Sequence, residues 1–230
     1  NTDSTTLAAD YVLVNNIDAS DTATWNGGEG FAPIGQTWGA EFTGTFDLRG
    51  FLVVGLHINR PTETAVGLFG RVNGGSISNG GVSGTITGGL LTGILIGNCL
   101  GASTVDQVST NGSVTGTSYV GGIAGQFRDT SRCDDGYSSA SVIASVQYGG
   151  GLTGRVSSLA TVVKNCYSCG AVGGAGSNIG GLSGDNVGTV TDSYWDTETS
   201  GQATSAGGTG KTTAEMVRAS TYSGWDFGRV

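Results

Sequence analysis

Four cysteines, one histidine and a few closely spaced carboxylates are the side chains that could carry a reaction or a covalent link. Cys99, Cys133, Cys166 and Cys169 are even in number, in a chain poor in Lys and rich in Ser, Thr and Gly. That usage points to an oxidising, extracellular setting and to disulfides. From their offsets within the repeat, Cys99 and Cys133 are expected to join adjacent coils and Cys166 and Cys169 to close within one turn. Four cysteines permit three pairings. A zinc site of four thiolates is disfavoured, because C-x-x-C spacing occurs at Cys166/Cys169 while Cys99 and Cys133 are isolated.

Carboxylate pairs stand at Asp134-Asp135 and Asp196/Glu198, in segments that read as turns. Two carboxylates on one solenoid face can hydrolyse a glycosidic bond, but neighbouring turn carboxylates are ordinarily just solvated. Acidic turns at Asp18/Asp21 and Asp134/Asp135 offer hard oxygen ligands, so calcium is the one ion with any case, although no EF-hand or nonapeptide pattern accompanies them. No other cofactor is expected. His57 is the single candidate base for histidine-assisted nucleophilic catalysis. It alternates with Val54 and Leu56, sharing a side with Val53 and Gly55, and reads as a strand-surface or cap residue. Ser205-Ala206-Gly207-Gly208-Thr209-Gly210-Lys211-Thr212 imitates a phosphate loop, but Ser205 stands where glycine is required and no buried strand precedes it. Gly149-Gly150-Gly151-Leu152-Thr153-Gly154 fits a dinucleotide fingerprint only as one copy of a repeat, with no helix after it.

That repeat organises the chain. Val66-Gly67-Leu68-Phe69-Gly70, Val120-Gly121-Gly122-Ile123-Ala124-Gly125, Gly150-Gly151-Leu152-Thr153-Gly154 and Ile179-Gly180-Gly181-Leu182-Ser183-Gly184 are versions of one phrase, with a degraded copy at Thr92-Gly93-Ile94-Leu95-Ile96. The anchors Gly67, Gly93, Gly122, Gly151 and Gly181 recur every 26 to 30 residues. A second phrase follows each anchor, as in Tyr137-Ser138-Ser139 and Tyr167-Ser168-Cys169, with Tyr194 opening an altered last copy. Units of this length, rich in Gly, Ser, Thr and Val, predict short strands separated by turns, which cannot bury an apolar face alone and therefore stack. Glycine is expected to supply positive φ at the corners. Tyr137, Tyr167 and Tyr194 fall at equivalent positions and predict an aromatic ladder, whose ordinary role is packing and whose functional alternative is a sugar platform. Asn111-Gly112-Ser113 is an acceptor sequon.

Composition narrows the classes. The 230 residues include 44 Gly and 2 Pro, with 10 Lys+Arg against 18 Asp+Glu, a net charge of −8. An acidic chain of this kind disfavours nucleic acid and anionic membranes. The glycine lacks a collagen period, and no apolar run approaches the ~20 residues of a membrane helix, so membrane insertion is not expected. The chain opens at Asn1 on a polar stretch, as a processed or excised segment would. Three regions of one continuous domain are expected: capping coils over 1–64, repeats over 65–192 and a closing cap over 193–230. The opening region carries Trp25, Phe31, Trp38, Phe42 and Phe46, an aromatic cap. In the closing region Thr212-Thr213-Ala214-Glu215 is a capping box that predicts a short helix to about Ala219, with Trp225 and Phe227 closing the apolar end. Seven or so coils at ~4.8 Å each make a rod of roughly 35 Å.

The Gly-Gly-Leu-x-Gly phrase around 181–184 and Asn165-Cys166-Tyr167-Ser168 resemble the GLUG repeat of bacterial surface proteins, filamentous-haemagglutinin-like adhesins among them. The opening Tyr11-Val12-Leu13, Phe42-Thr43-Gly44-Thr45-Phe46-Asp47 and Ile58-Asn59-Arg60-Pro61 are similar to the coils that lead into such repeats. Ser193-Tyr194-Trp195-Asp196 and Gly224-Trp225-Asp226-Phe227 are similar to the segment that follows them. Phe46–Leu52 departs from the family's polar turn, which puts strand register in question there. The resemblance implies an all-β fold, a right-handed parallel β-helix (β-solenoid) with coils of about 28–30 residues, in secreted or surface-displayed proteins, with no shared catalytic site. The expected function is accordingly that of a non-catalytic, extracellular structural and adhesive solenoid. Its expected partners are host or neighbouring cell-surface glycans or proteins, or copies of itself. The alternatives are a self-assembling subunit of an extracellular filament or sheath, and a polysaccharide-active β-helix enzyme.

Overall fold

Short segments rich in Val, Ile, Thr and Ser have no partner within their own unit, so their backbone groups must pair with the next copy along the chain. A computed structural model describes residues 3–227 and shows this pairing throughout. Every ladder between named strands is parallel, and the coils stack into a β-solenoid. One flank is a sheet of five short strands, Phe69–Asn73, Ile96–Leu100, Ala124–Phe127, Thr153–Val156 and Ser183–Asn186. In it Phe69, Ile96, Ala124, Thr153 and Ser183 lie directly in register. The offsets between these residues lengthen by one at each step, so each coil is slightly longer than the one before it. A larger sheet forms the remaining flanks, and its widest row runs from Ile17 through Val53, Val82, Thr110, Ser138, Ser168 and Trp195 to Gly210. The larger sheet thus runs past the short one at both ends, but the short sheet closes only five coils, fewer than the seven or so expected.

The core is a set of inward rows. Ile58, Ile86, Val114, Val142 and Val172 stack one above another, as do Ile77, Val105, Cys133 and Val163. All are buried. Towards the C-terminal end the interior becomes small and polar: Ser138, Thr153, Ser168 and Ser183 are at most 1% exposed. Ser168 Oγ donates to the Gly181 carbonyl at 2.8 Å, and Ser183 Oγ to Asp185 at 2.8 Å, so burial leaves these hydroxyls satisfied.

The anchors stack as expected at Gly122, Gly151 and Gly181, but for a reason other than backbone freedom. A Cβ on Gly122 would stand 2.4 Å from the Gly151 carbonyl oxygen, and one on Gly151 2.4 Å from that of Gly181. The closing glycine of each phrase meets the opposite wall of the flattened coil: Gly125, Gly154 and Gly184 approach the backbone of Leu91, Tyr119 and Tyr148. In the degraded copy, Gly93 pairs with Gly121 rather than with Gly122, a one-residue offset from the sequence alignment. Glycine supplies positive φ as expected at corners such as Gly74 and Gly101, but two columns of corners are turned by other residues. Asn79, Gln107, Asp135, Asn165 and Asp192 turn one corner, and Ala65, Leu91, Tyr119, Tyr148 and Asn178 another, all with φ between 47° and 62°. Asn and Asp tolerate this region because their side chains bond locally. Asn79 donates to Asp47 and Asn165 to Asp135, each at 2.9 Å, tying adjacent coils together.

At the opening end Tyr11, Phe42 and Phe46 pack with Phe69 as an aromatic cap. Trp25 and Trp38 lie outside it, 48% and 60% exposed, and Ser20–Gly28 is a 3-10 segment kinked at Trp25, Asn26 and Gly27. The atypical Phe46–Leu52 stretch keeps register. Arg49 and Gly50, both left-handed, absorb two extra residues between the Asp47–Ser78 and Leu52–Gly81 pairs. At the closing end the capping box forms, but its helix, Thr213–Met216, is a single turn ending before Ala219. No helix among the described residues is long and apolar enough to cross a membrane.

Backbone contact at the closing glycines makes a clear prediction. Gly154→Ala drives a Cβ to 2.5 Å from the Tyr119 carbonyl carbon and should cost about 2–3 kcal/mol in denaturant unfolding. Gly173, with open space around its Cβ position, should accept Ala with little change.

Candidate functional site

The outer surface is organised by the same register as the core. One residue before the Thr110–Ser138–Ser168 row, the side chains point outward, because strand positions alternate. Leu52, Gly81, Ser109, Tyr137, Tyr167, Tyr194 and Thr209 form this row. The expected ladder is therefore present in the backbone. Its rings behave differently along its length. Tyr137 and Tyr167 stack with centroids 4.9 Å apart and planes 3° from parallel. Tyr194 instead meets Tyr222 edge-on at 5.4 Å.

The reason is the C-terminal tail. Tyr222, Trp225 and Phe227 fold onto the side of the solenoid, where Tyr222 and Trp225 cover Tyr167 and Tyr194. Trp225 thus packs against the ladder and Phe227 against Tyr222 and Trp225, a correction to their expected place over the apolar end. The Trp225 indole N–H donates to the Asp192 carbonyl and the Tyr222 hydroxyl to that of Met216, at 3.0 and 2.7 Å. Burial beneath the tail, reinforced by Tyr137, holds the Tyr167 hydroxyl well above the usual phenol range. A cleft of about 660 Å³ remains between the tail and the ladder, lined by Tyr167, Cys169, Asp196, Met216, Trp225 and Phe227 among others.

The carboxylates hold the fold together. Asp196 caps the helix Thr197–Ser200, accepting from the backbone of Glu198 and Thr199, and also accepts from Thr213 Oγ at 2.7 Å. Glu198 accepts from the Thr213 N–H at 2.8 Å. Asp134 lies beside Arg132, which donates to both its oxygens at 2.9 and 3.1 Å. Asp135 turns its corner and binds Asn165. Asp18 accepts from the Ser20 N–H at 2.9 Å. Among the described residues, no group of three or more His, Cys, Asp or Glu is placed to hold a metal ion.

His57 faces out, and a β-bulge is the reason. The register shifts between Val53 and Leu56 at Gly55, whose φ is +75°, so Val53, Leu56 and Ile58 all point inward. Simple alternation puts Val53 and His57 on one side. The phosphate-loop lookalike is also accounted for. Ser205 Oγ accepts from the Leu182 and Ser183 N–H groups, and Thr209–Lys211 is a strand on Tyr194–Asp196. Asn111 of the sequon is exposed and donates to Ser139 Oγ at 2.8 Å.

All four cysteines are free thiols. Neither expected bond is formed. Cys99 lies in the short-sheet row Val72–Cys99–Phe127 and Cys133 on another flank. Cys166 is buried while Cys169 reaches the cleft, since positions three apart on an extended segment face opposite ways. The neighbours are Cys133 and Cys166, with sulfurs 3.8 Å apart beside the space left by Gly136. Burial pushes the Cys99 thiol up from 9.0 to about 12. The contact with Cys166, then burial, raises that of Cys133.

A second aromatic pair lies outside the repeat phrases. Tyr119 and Tyr148 stack at 5.1 Å, with the Arg155 guanidinium over both rings and paired to Asp185 at 2.8 Å. Its signal was present: each tyrosine stands just ahead of a double-glycine phrase, 29 positions apart.

No known family profile matches the chain. Halomucin of Haloquadratum walsbyi is 36% identical over 249 residues, an alignment that takes in 91% of this chain and 3% of Halomucin. The chain thus spans a small fraction of that relative. A Gly-rich membrane protein of Evansella cellulosilytica is 41% identical over 73 residues, 28% of this chain and 8% of its own length. The crystal structure of a Bacteroides ovatus protein assigned as an immunoglobulin A1 protease superposes with a TM-score of 0.59 at 21% identity. That superposition covers 81% of this chain and 59% of the other, and it shows a shared β-solenoid fold.

The thiols supply a test. At pH 8, alkylation followed by mass spectrometry should label Cys169 in the native protein, and Cys99, Cys133 and Cys166 only after unfolding. A thiol held neutral in the fold stabilises fully below its unfolded value near 9 and progressively less as pH rises towards about 12. Cys99→Val should therefore flatten the alkaline loss of stability.

Proposed function

We propose that this chain is a GLUG-type segment of an extracellular or cell-surface protein, working as a non-catalytic structural and adhesive rod. The observation that carries the reading is the employment of its carboxylates. Asp134, Asp135, Asp196 and Glu198 each bind a neighbouring side chain or a helix N-terminus, so each is explained by the coil it holds. The 36% identity to a protein whose name makes it a mucin supports a place at the cell surface. The outward rows of Ser, Thr, Asn and Tyr suit contact with glycans or proteins. Antibody raised against the purified chain should label intact source cells, and mild surface proteolysis should remove the label. Labelling seen only after permeabilisation would overturn the reading.

A second reading, end-to-end assembly, has its own observation. The strands Tyr11–Val12 and Ile17–Asp18 each pair on one side among the described residues, with Val12, Val14 and Ile17 47%, 74% and 41% exposed beside them. Such an edge is a template for another chain. On this reading sedimentation should reveal concentration-dependent growth that Val14→Asp suppresses; a monomer at every concentration would exclude it.

A further inference from the structure

The outward row that carries the tyrosines also contains the place where they stop. Tyr167 occupies one face of the Tyr137 ring. The rung on its other side holds Ser109, and the rung beyond holds Gly81. Leu52 leans over that glycine, its Cδ2 2.9 Å from where a Cβ would stand, and closes the far end. Two rungs, at Ser109 and Gly81, thus have no ring of their own; Leu52 covers that of Gly81, which leaves the Ser109 layer, about 4.8 Å thick by the strand spacing, open. Two hollows of about 330 and 360 Å³ flank this layer, and both are lined by Leu52, Ser109 and Tyr137. Their rims are polar, with Ser83 and Asn111 on one side and Asn79 and Asp135 on the other.

We propose that the layer between Tyr137 and Leu52, floored by Ser109, is a binding slot for a neutral pyranose ring. The C–H face of a pyranose is flat, apolar and weakly positive, and it stacks on the negative face of an aromatic ring. Its hydroxyls radiate in the plane of the ring, where the two rims offer hydroxyl, amide and carboxylate partners. A concave, mostly apolar cleft with a few placed polar groups is the common form of a small-ligand site. The charge selects among sugars. Asp135 is the charged side chain lining these hollows, in a chain of net charge −8, so a uronate or a sulfated sugar is repelled while a hydroxyl donor is welcomed. Tyr167 and Tyr194 present no bare ring face in the row, because Tyr222 and Trp225 lie against them; the cleft beside Tyr167 is walled by the tail instead of by an open rung. The slot deepens the adhesive reading and rests on it, since a surface rod is where free glycans are met.

Saturation-transfer NMR on the whole chain tests this with methyl glucoside, galactoside, mannoside and N-acetylglucosaminide, and with methyl glucuronide as the charged comparison. At least one neutral glycoside should receive saturation and shift the Tyr137 ring and Ser109 amide signals, while the glucuronide binds at least tenfold more weakly. Ser109→Tyr supplies the missing ring from the protein itself. It should keep or raise the melting temperature and abolish binding, and Tyr137→Ala should weaken binding at least tenfold. Should either variant not fold, the mapping of shifts on the unmodified chain decides. No saturation of any neutral glycoside, shifts away from Tyr137 and Ser109, or undiminished binding by a folded S109Y protein would each overturn the proposal. Failure here leaves the surface location standing, which the antibody experiment judges separately.

Discussion

Parallel backbone pairing between successive coils is the constraint from which the other features follow. A hydrogen-bonded rung fixes which residue lies above which, and the same position in each unit then shares one environment. Ile58, Ile86, Val114, Val142 and Val172 become one apolar column because of it, and Tyr137 and Tyr167 become a stack. The glycines of the repeat answer to the same geometry. They stand where the next coil's carbonyl or the opposite wall comes closer than a Cβ allows. Freedom of φ is used elsewhere, at corners turned by Asn, Asp and other side chains as well as by glycines such as Gly74 and Gly101.

Register also separates the interior from the exterior chemically. Inside, the columns run from Phe69 and Ile96 to Thr153 and Ser183, and the small hydroxyl residues near the closing end bond to the backbone rather than to a ligand. Outside, alternation leaves rows whose composition is unconstrained by packing. One of these rows acquired aromatic rings over three coils. The tail beyond the last coil folds back over two of them, so a single row is cap at one end and open surface at the other.

Some of the acidic residues stand at or beside the coil corners, and their contacts tie one coil to the next. Asn79 with Asp47 and Asn165 with Asp135 pair amide with carboxylate across coils, which removes the repulsion that stacked carboxylates would produce. Accepting from Asn79 first of all, Asp47 keeps its carboxyl below the usual range. That contribution is complete above the unfolded value and is lost as pH falls through the lower, folded one.

How much was legible differs by feature. The repeat length, the coil architecture, the stacked anchors at Gly122, Gly151 and Gly181, the tyrosine row and the Thr212 capping box follow from spacing alone, because a stacked solenoid turns sequence period directly into vertical neighbours. What lies sideways within a coil does not follow. The Cys133–Cys166 approach, the bulge that turns His57 outward, and the fold-back of Trp225 and Phe227 depend on which flank a segment occupies and on one-residue irregularities that a period cannot encode. Sequence determined what stands above what; tertiary structure decided what faces what across the coil, because lateral contacts are set by corner geometry and side-chain packing rather than by the repeat.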